Sequence, residues 1–154
     1  MSVASGVALA ADPVLVVKPA QGPSYQVTLA DLSALSPEDL AVQDEKGHPA
    51  RYRCVSVAKV LAHAGAPLPT LRGKAMTGAL RVNAADGYAV LFALPELDPE
   101  FTSGQVFVCF ERDGAAMSDE EGPLRMVVPA EKKHARWVRR VTEFEVLPPL
   151  VREN

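Results

Sequence analysis

The sequence predicts an α+β domain of mixed β-sheet with few, short helices, and three observations carry that prediction. Apolar runs of strand length outnumber helical repeats. The best helical repeat, Val57 to Ala64, is short. No regular alternation of strand and helix runs along the chain, which excludes a doubly wound fold. With 154 residues, 48% of them hydrophobic, the chain can bury one core without disulfide staples. Its formal net charge of −3 argues against a nucleic-acid-binding face, and no apolar run reaches the length of a membrane span.

The elements follow in order. Pro13 to Lys18 reads as a buried strand, and the Gln21-Gly22-Pro23-Ser24 turn leads into a second over Tyr25 to Thr28. Thr28 can cap a short helix, with Asp31 at the capping-box position. Ser36-Pro37-Glu38-Asp39 reads as another helix start: a Ser cap, Pro at the first helical position and acids facing the positive end of the dipole. Asp44 to Pro49 is a polar hairpin tip between short strands. Ser56 then caps the main helix, on which Val57, Val60, Leu61 and Ala64 share a face, and Gly65 and Pro67 stop it. His63 near its end reads as a cation favoured by the dipole. The second half is mostly strand: Leu80 to Ala84, Tyr88 to Ala93, Gln105 to Glu111, Arg125 to Val128 and Arg136 to Val146. Leu94 to Leu97 is a helical turn, and Arg112-Asp113-Gly114 is a hairpin signal.

The ends read differently from the middle. Residues 1–11 are small and apolar, and Ala8-Leu9-Ala10 fits a signal-peptidase site, although no basic region precedes it. A signal-peptide remnant is the expectation, with a disordered tail as the alternative. The domain proper is expected over 12–148, followed by a tail over 149–154. Export would place the protein in a periplasm and permit a bridge between Cys54 and Cys109. The apolar run Val106 to Phe110 around Cys109 favours instead two small buried hydrophobes. Two cysteines and three scattered histidines give no zinc-site spacing.

Two segments could carry chemistry. In Asp86-Gly87-Tyr88, Gly87 permits a sharp turn, Asp86 can accept backbone hydrogen bonds, and Tyr88 opens the next strand. In Gly122-Pro123-Leu124-Arg125-Met126-Val127-Val128-Pro129 a rigid turn leads into a strand with one charge, Arg125. Then Lys132, Lys133, His134, Arg136, Arg139 and Arg140 concentrate positive charge in an acidic protein. Such a cluster beside a turn suits a phosphate or carboxylate, with Arg125, Lys133, His134 and Arg136 as the candidate binding residues. The alternative is a solvated strand face on which charges alternate with core residues. On a strand, Arg136 and Trp137 point to opposite sides, Trp137 into the core and Arg136 into a concave surface beside the Gly122-Pro123 turn.

These two motifs, in this order, resemble the molybdopterin-binding domain of the sulfite oxidase family. The likeness extends weakly through Val27 to Leu35, Val55 to Gly65 and Leu94 to Leu97, so it covers most of the chain from about Val14. It implies the fold of that domain, and it places Arg136 at the basic position that reaches the pterin phosphate. The resemblance also has gaps. The family holds molybdenum with a cysteine thiolate, and the matching stretch, Leu40 to Arg53, contains none. The Asn-His-Phe-type motif that cradles the pterin and the dimerisation domain of larger relatives are missing too. The expectation is therefore an exported, non-redox binding module for an anion, a pterin-like ligand or a partner protein, with no bound cofactor. The alternative is a molybdopterin-dependent oxidoreductase with an unusual or incomplete metal site, either with Cys54 as an unconventional ligand or open.

Overall fold

The computed structural model describes residues 11–150. The expected signal-peptide remnant lies almost wholly outside the described residues, as does most of the expected tail. Between them the fold is α+β. Nine strands form two sheets: β1 (Pro13–Lys18), β2 (Tyr25–Thr28), β3 (Glu38–Gln43), β4 (Pro49–Ser56), β5 (Ala79–Ala84), β6 (Ala89–Ala93), β7 (Phe107–Arg112), β8 (Arg125–Val127) and β9 (Val141–Leu147). One sheet has the order β2-β1-β9-β5-β6, the other β3-β4-β7-β8. The pairing of β1 with β9 is parallel and joins the first and last strands; the other pairings are antiparallel.

One continuous apolar cluster joins the sheets. Val17, Val82 and Phe144 reach it from the first, and Tyr52, Val55, Val108 and Met126 from the second. Two short helices close it. In α1 (Leu29–Ala34) the Thr28 hydroxyl accepts from the Asp31 amide while the Asp31 carboxylate accepts from the Thr28 amide, each at 3.0 Å. In α2 (Val57–His63) the Ser56 hydroxyl accepts from the Lys59 amide, and Val57, Val60 and Leu61 are buried. Gly65, at φ +78°, turns the chain away as a terminating glycine should. His63 ends this helix but is also held sideways, 3.2 Å from the Tyr25 hydroxyl and 3.5 Å from Asp31.

The structure corrects three expectations. The predicted helix start at Ser36-Pro37 is a strand start. Leu40 and Val42 turn towards the core while Asp39, Ala41 and Gln43 face out, and β3 pairs with β4 from Glu38↔Cys54 to Gln43↔Pro49. Long-range pairing of a half-buried surface overrides the local capping signal. Arg136 to Arg140 are not strand either: the chain turns there, Arg140 takes φ +54°, and β9 begins only at Val141. Finally, Cys54 and Cys109 face each other across β4 and β7 and form a disulfide, both fully buried.

That bridge closes a 55-residue separation, for which loop-entropy arguments give about 4 kcal/mol of stabilisation. Cys54→Ala/Cys109→Ala is expected to lower the urea unfolding free energy by about 2–4 kcal/mol. Thiol titration of the unfolded, unreduced wild type should find no free thiol, and two after reduction.

Candidate functional site

The cations of the basic segment fall into three physical classes. Arg125, on β8, is the most buried. It is 2% exposed, and its Nη1 donates to Glu121 and, at 3.1 Å, to the Tyr52 hydroxyl; Nη2 meets Glu45 at 3.0 Å. Tyr52, on β4, donates in turn to Glu121. Arg112, on β7 opposite Tyr52, bonds Glu121 at 3.2 Å and Asp44 at 2.8 Å. Both guanidinium carbons lie within 6 Å of the Tyr52 ring centre, at 5.4 Å for Arg112 and 5.7 Å for Arg125. With Arg139, 3.3 Å from Glu45, and Asp113, 3.7 Å from Arg112 Nε, the cluster holds three guanidiniums against four carboxylates. Each of its cations is compensated by carboxylate, so Arg125 is a structural cation rather than one offered to a ligand.

These pairings set the protonation of the cluster. Burial raises the Glu121 carboxyl, but hydrogen bonds from Tyr52 and Arg125 outweigh it and hold the group below the usual carboxylate range. The Arg112 guanidinium, helped by the His48 amide, holds Asp44 well below that range. Burial, followed by the Glu121 carboxylate, pushes the Tyr52 phenol up.

Arg136 belongs to a second class. Its guanidinium lies between Glu96 and Glu131, bonding Glu96 at 2.7 Å through Nη2, with Nε 3.2 Å from both Glu131 oxygens. Nη1 donates to the Leu91 carbonyl at 2.8 Å, and the group stacks 4.2 Å over the Phe92 ring. One cation between two carboxylates leaves a local charge of −1, which repels an anion. The contacts tie the turn before β9 to β6, the outer strand of its sheet. They cover part of an edge that would otherwise present open backbone groups.

A third group, His134, Arg139 and Arg140, lines a groove between the Asp86-Gly87-Tyr88 turn and the basic segment. The Arg140 amide donates to the Glu121 carbonyl, and the Arg140 carbonyl accepts from Ala85, each at 2.9 Å. The Tyr88 hydroxyl donates to Ala135 at 2.6 Å. The Asp86-Gly87-Tyr88 turn, with Gly87 at φ +90° and Asp86 accepting from the Tyr88 amide, is thereby fastened to the segment after Pro129. Between them lies a cavity of about 440 Å³ lined by Asp86, Tyr88, Glu120, His134, Trp137, Arg139 and Arg140. A second, of about 330 Å³, lies over the Arg112–Arg125 cluster and shares Glu120 and Arg139 with it.

The four expected binding residues are thus separated rather than gathered. Arg125 is in the buried cluster, Arg136 in its carboxylate clamp, and His134 in the groove wall, stacked 3.7 Å from Trp137 with the rings 8° from parallel. Lys133 is exposed and has no ion pair among the described residues. Trp137 does pack inward, 4% exposed, with its indole N–H on the Val128 carbonyl. Arg140, at the end of the basic run, is the exposed cation whose guanidinium meets no carboxylate among the described residues. Sequence reasoning noted its charge but not its place in the groove, because the left-handed turn there depends on contacts from two distant loops.

The residues do not fit a molybdenum centre held by thiolate. Both cysteines are consumed in the disulfide, which removes Cys54 as a ligand. Among the described residues no group of three or more His, Cys, Asp or Glu side chains is arranged to hold a metal ion.

No protein-family description and no curated protein matches the sequence. Solved structures similar to it include the crystal structure of the sulfane dehydrogenase SoxCD from Paracoccus pantotrophus. The two share 17% sequence identity at a TM-score of 0.59, over 86% of this chain and 37% of that one. The likeness shows a shared fold, and it supports the sulfite-oxidase-like architecture that the motifs resemble. The chain spans a little over a third of the length of that structure.

Removing one partner from the buried cluster leaves an uncompensated charge, so Arg125→Ala should cost about 3–5 kcal/mol in denaturant unfolding. Because the folded Glu121 and Asp44 carboxyls lie below their unfolded values, their contribution is complete above about pH 5 and is lost as pH falls through the folded values. Glu121→Gln should therefore destabilise the protein at neutral pH and flatten the loss of stability in acid. A variant with an unchanged acid limb would contradict the assignment.

Proposed function

We propose that this chain is an exported, non-redox binding module of sulfite-oxidase-like fold. Its groove takes a small ligand through an acidic group, phosphate or carboxylate, pterin-like phosphates included. One observation carries the reading: Arg140 lies in a groove with Arg139 and His134 while its guanidinium has no carboxylate partner among the described residues. The other arginines of the basic segment outside the groove, Arg125 and Arg136, are already paired with carboxylates. A planar fork of donors suits an oxyanion, and the Tyr88, His134 and Trp137 rings supply apolar wall beside it.

Arg140 is held in a left-handed conformation, which a residue with a Cβ adopts at a cost. Strain of this kind at a groove supports a positioning role. The disulfide supports export, since such bridges persist in oxidising compartments, and periplasmic location follows from that reading. The loss of both thiols to the bridge favours binding over metal-centred redox chemistry.

Arg140→Gly tests the site cleanly, because glycine accepts φ +54° without strain and keeps the turn. Calorimetry or NMR titration with inorganic phosphate should show weak binding by the wild type, reduced about tenfold or more in the variant, as expected for loss of a charged hydrogen bond. Unfolding should show Arg140→Gly as stable as the wild type. Arg136→Ala should do the opposite: it lowers stability and leaves phosphate binding unchanged. Equal phosphate binding by wild type and Arg140→Gly would contradict the proposed site.

A further inference from the structure

Resting on that reading, we infer that the ligand is a zwitterion: its acidic group meets Arg140 and a basic group, an amine, meets Glu120. The inference comes from a count of the charges facing the groove. Asp44, Glu45 and Glu121 are each paired with arginine. Asp86 also lines the groove and has no ion pair among the described residues, but its carboxylate is held in its own turn by the Tyr88 amide. Glu120 stands apart. It is exposed, has no ion pair among the described residues, and lines both cavities at the wall where they join.

A site built for a simple anion gains nothing from an uncompensated carboxylate on its wall. The like charge would weaken binding of any ligand that did not answer it. With Arg140 on one wall and Glu120 on the shared wall, a ligand carrying both signs within one small molecule leaves neither charge opposed. Aminoalkyl phosphates and amino acids have this chemistry. Discrimination then comes from both ends of the ligand: an anion lacking the amine meets repulsion, and an amine lacking the anion meets Arg140.

The test compares phosphoethanolamine with ethyl phosphate, which differ in one ammonium group. They are titrated against the wild type, Glu120→Gln and Asp119→Asn by NMR or calorimetry. The last variant makes the same change in net charge at an exposed neighbouring position that lines neither cavity. The wild type should bind phosphoethanolamine up to about fivefold more tightly than ethyl phosphate, the range of an exposed ion pair. Glu120→Gln should abolish that preference while still binding ethyl phosphate, and Asp119→Asn should keep it. Equal affinities in the wild type, or a preference that survives in Glu120→Gln, would overturn the inference while ethyl phosphate binding leaves the anion site standing. If neither compound binds the wild type, the anion site fails and the zwitterion falls with it.

Discussion

The buried Arg125 guanidinium is the constraint around which the other charged groups are arranged. A cation that is 98% buried must be met by carboxylates and hydrogen-bond acceptors, or it destabilises the fold by several kcal/mol. Here the partners come from three places: Glu121 from the turn before β8, Tyr52 from the middle of β4, and Glu45 from the hairpin tip between β3 and β4. Arg112 adds Asp44 from the same tip. One buried charge thus fixes two loops against the second sheet. The turn that carries Glu121 brings Glu120 to the groove wall, the hairpin tip lines the neighbouring cavity, and the Glu121 carbonyl that receives the Arg140 amide is held by the same arrangement.

This gives the basic segment a division of labour that its composition hides. Arg125 organises the interior, and Arg136 ties a turn to an outer strand between two carboxylates. Arg139 is half committed to Glu45, while Arg140 faces the groove without a carboxylate partner among the described residues. Counting lysines and arginines overstates the charge available to a ligand, because each paired guanidinium brings its own neutralising acid. The same accounting separates this chain from a thiolate-held metal site: its two cysteines serve the β4–β7 pairing instead.

Local features were legible in the sequence. The Ser56 cap, the Val57-Val60-Leu61 face and Gly65 fixed α2, and the strands at Pro13–Lys18 and Tyr25–Thr28 followed from their apolar runs. Trp137 was correctly assigned to the core. Features that depend on distant partners were not legible. Ser36-Pro37 carries a good helix signal, but Leu40 and Val42 bury more as a strand against β4. Cys54 and Cys109 looked like two separate core residues until the register of β4 and β7 set them face to face. Arg136 looked available because Glu96 lies 40 positions before it, and nothing local announces that pairing. The turn at Arg140 is set by Ala85 and Glu121, which no window around Arg140 contains.

The most direct test of the division between structural and available cations is amide chemical-shift mapping during titration with inorganic phosphate. The account predicts saturable shifts at Ala85, Tyr88, Glu121 and Arg140, the amides that line or frame the groove, with Leu91, Glu96 and Glu131 around the Arg136 clamp unmoved. Shifts centred on the Arg136 clamp, or spread without saturation over Lys132, Lys133 and other exposed lysines, would contradict it.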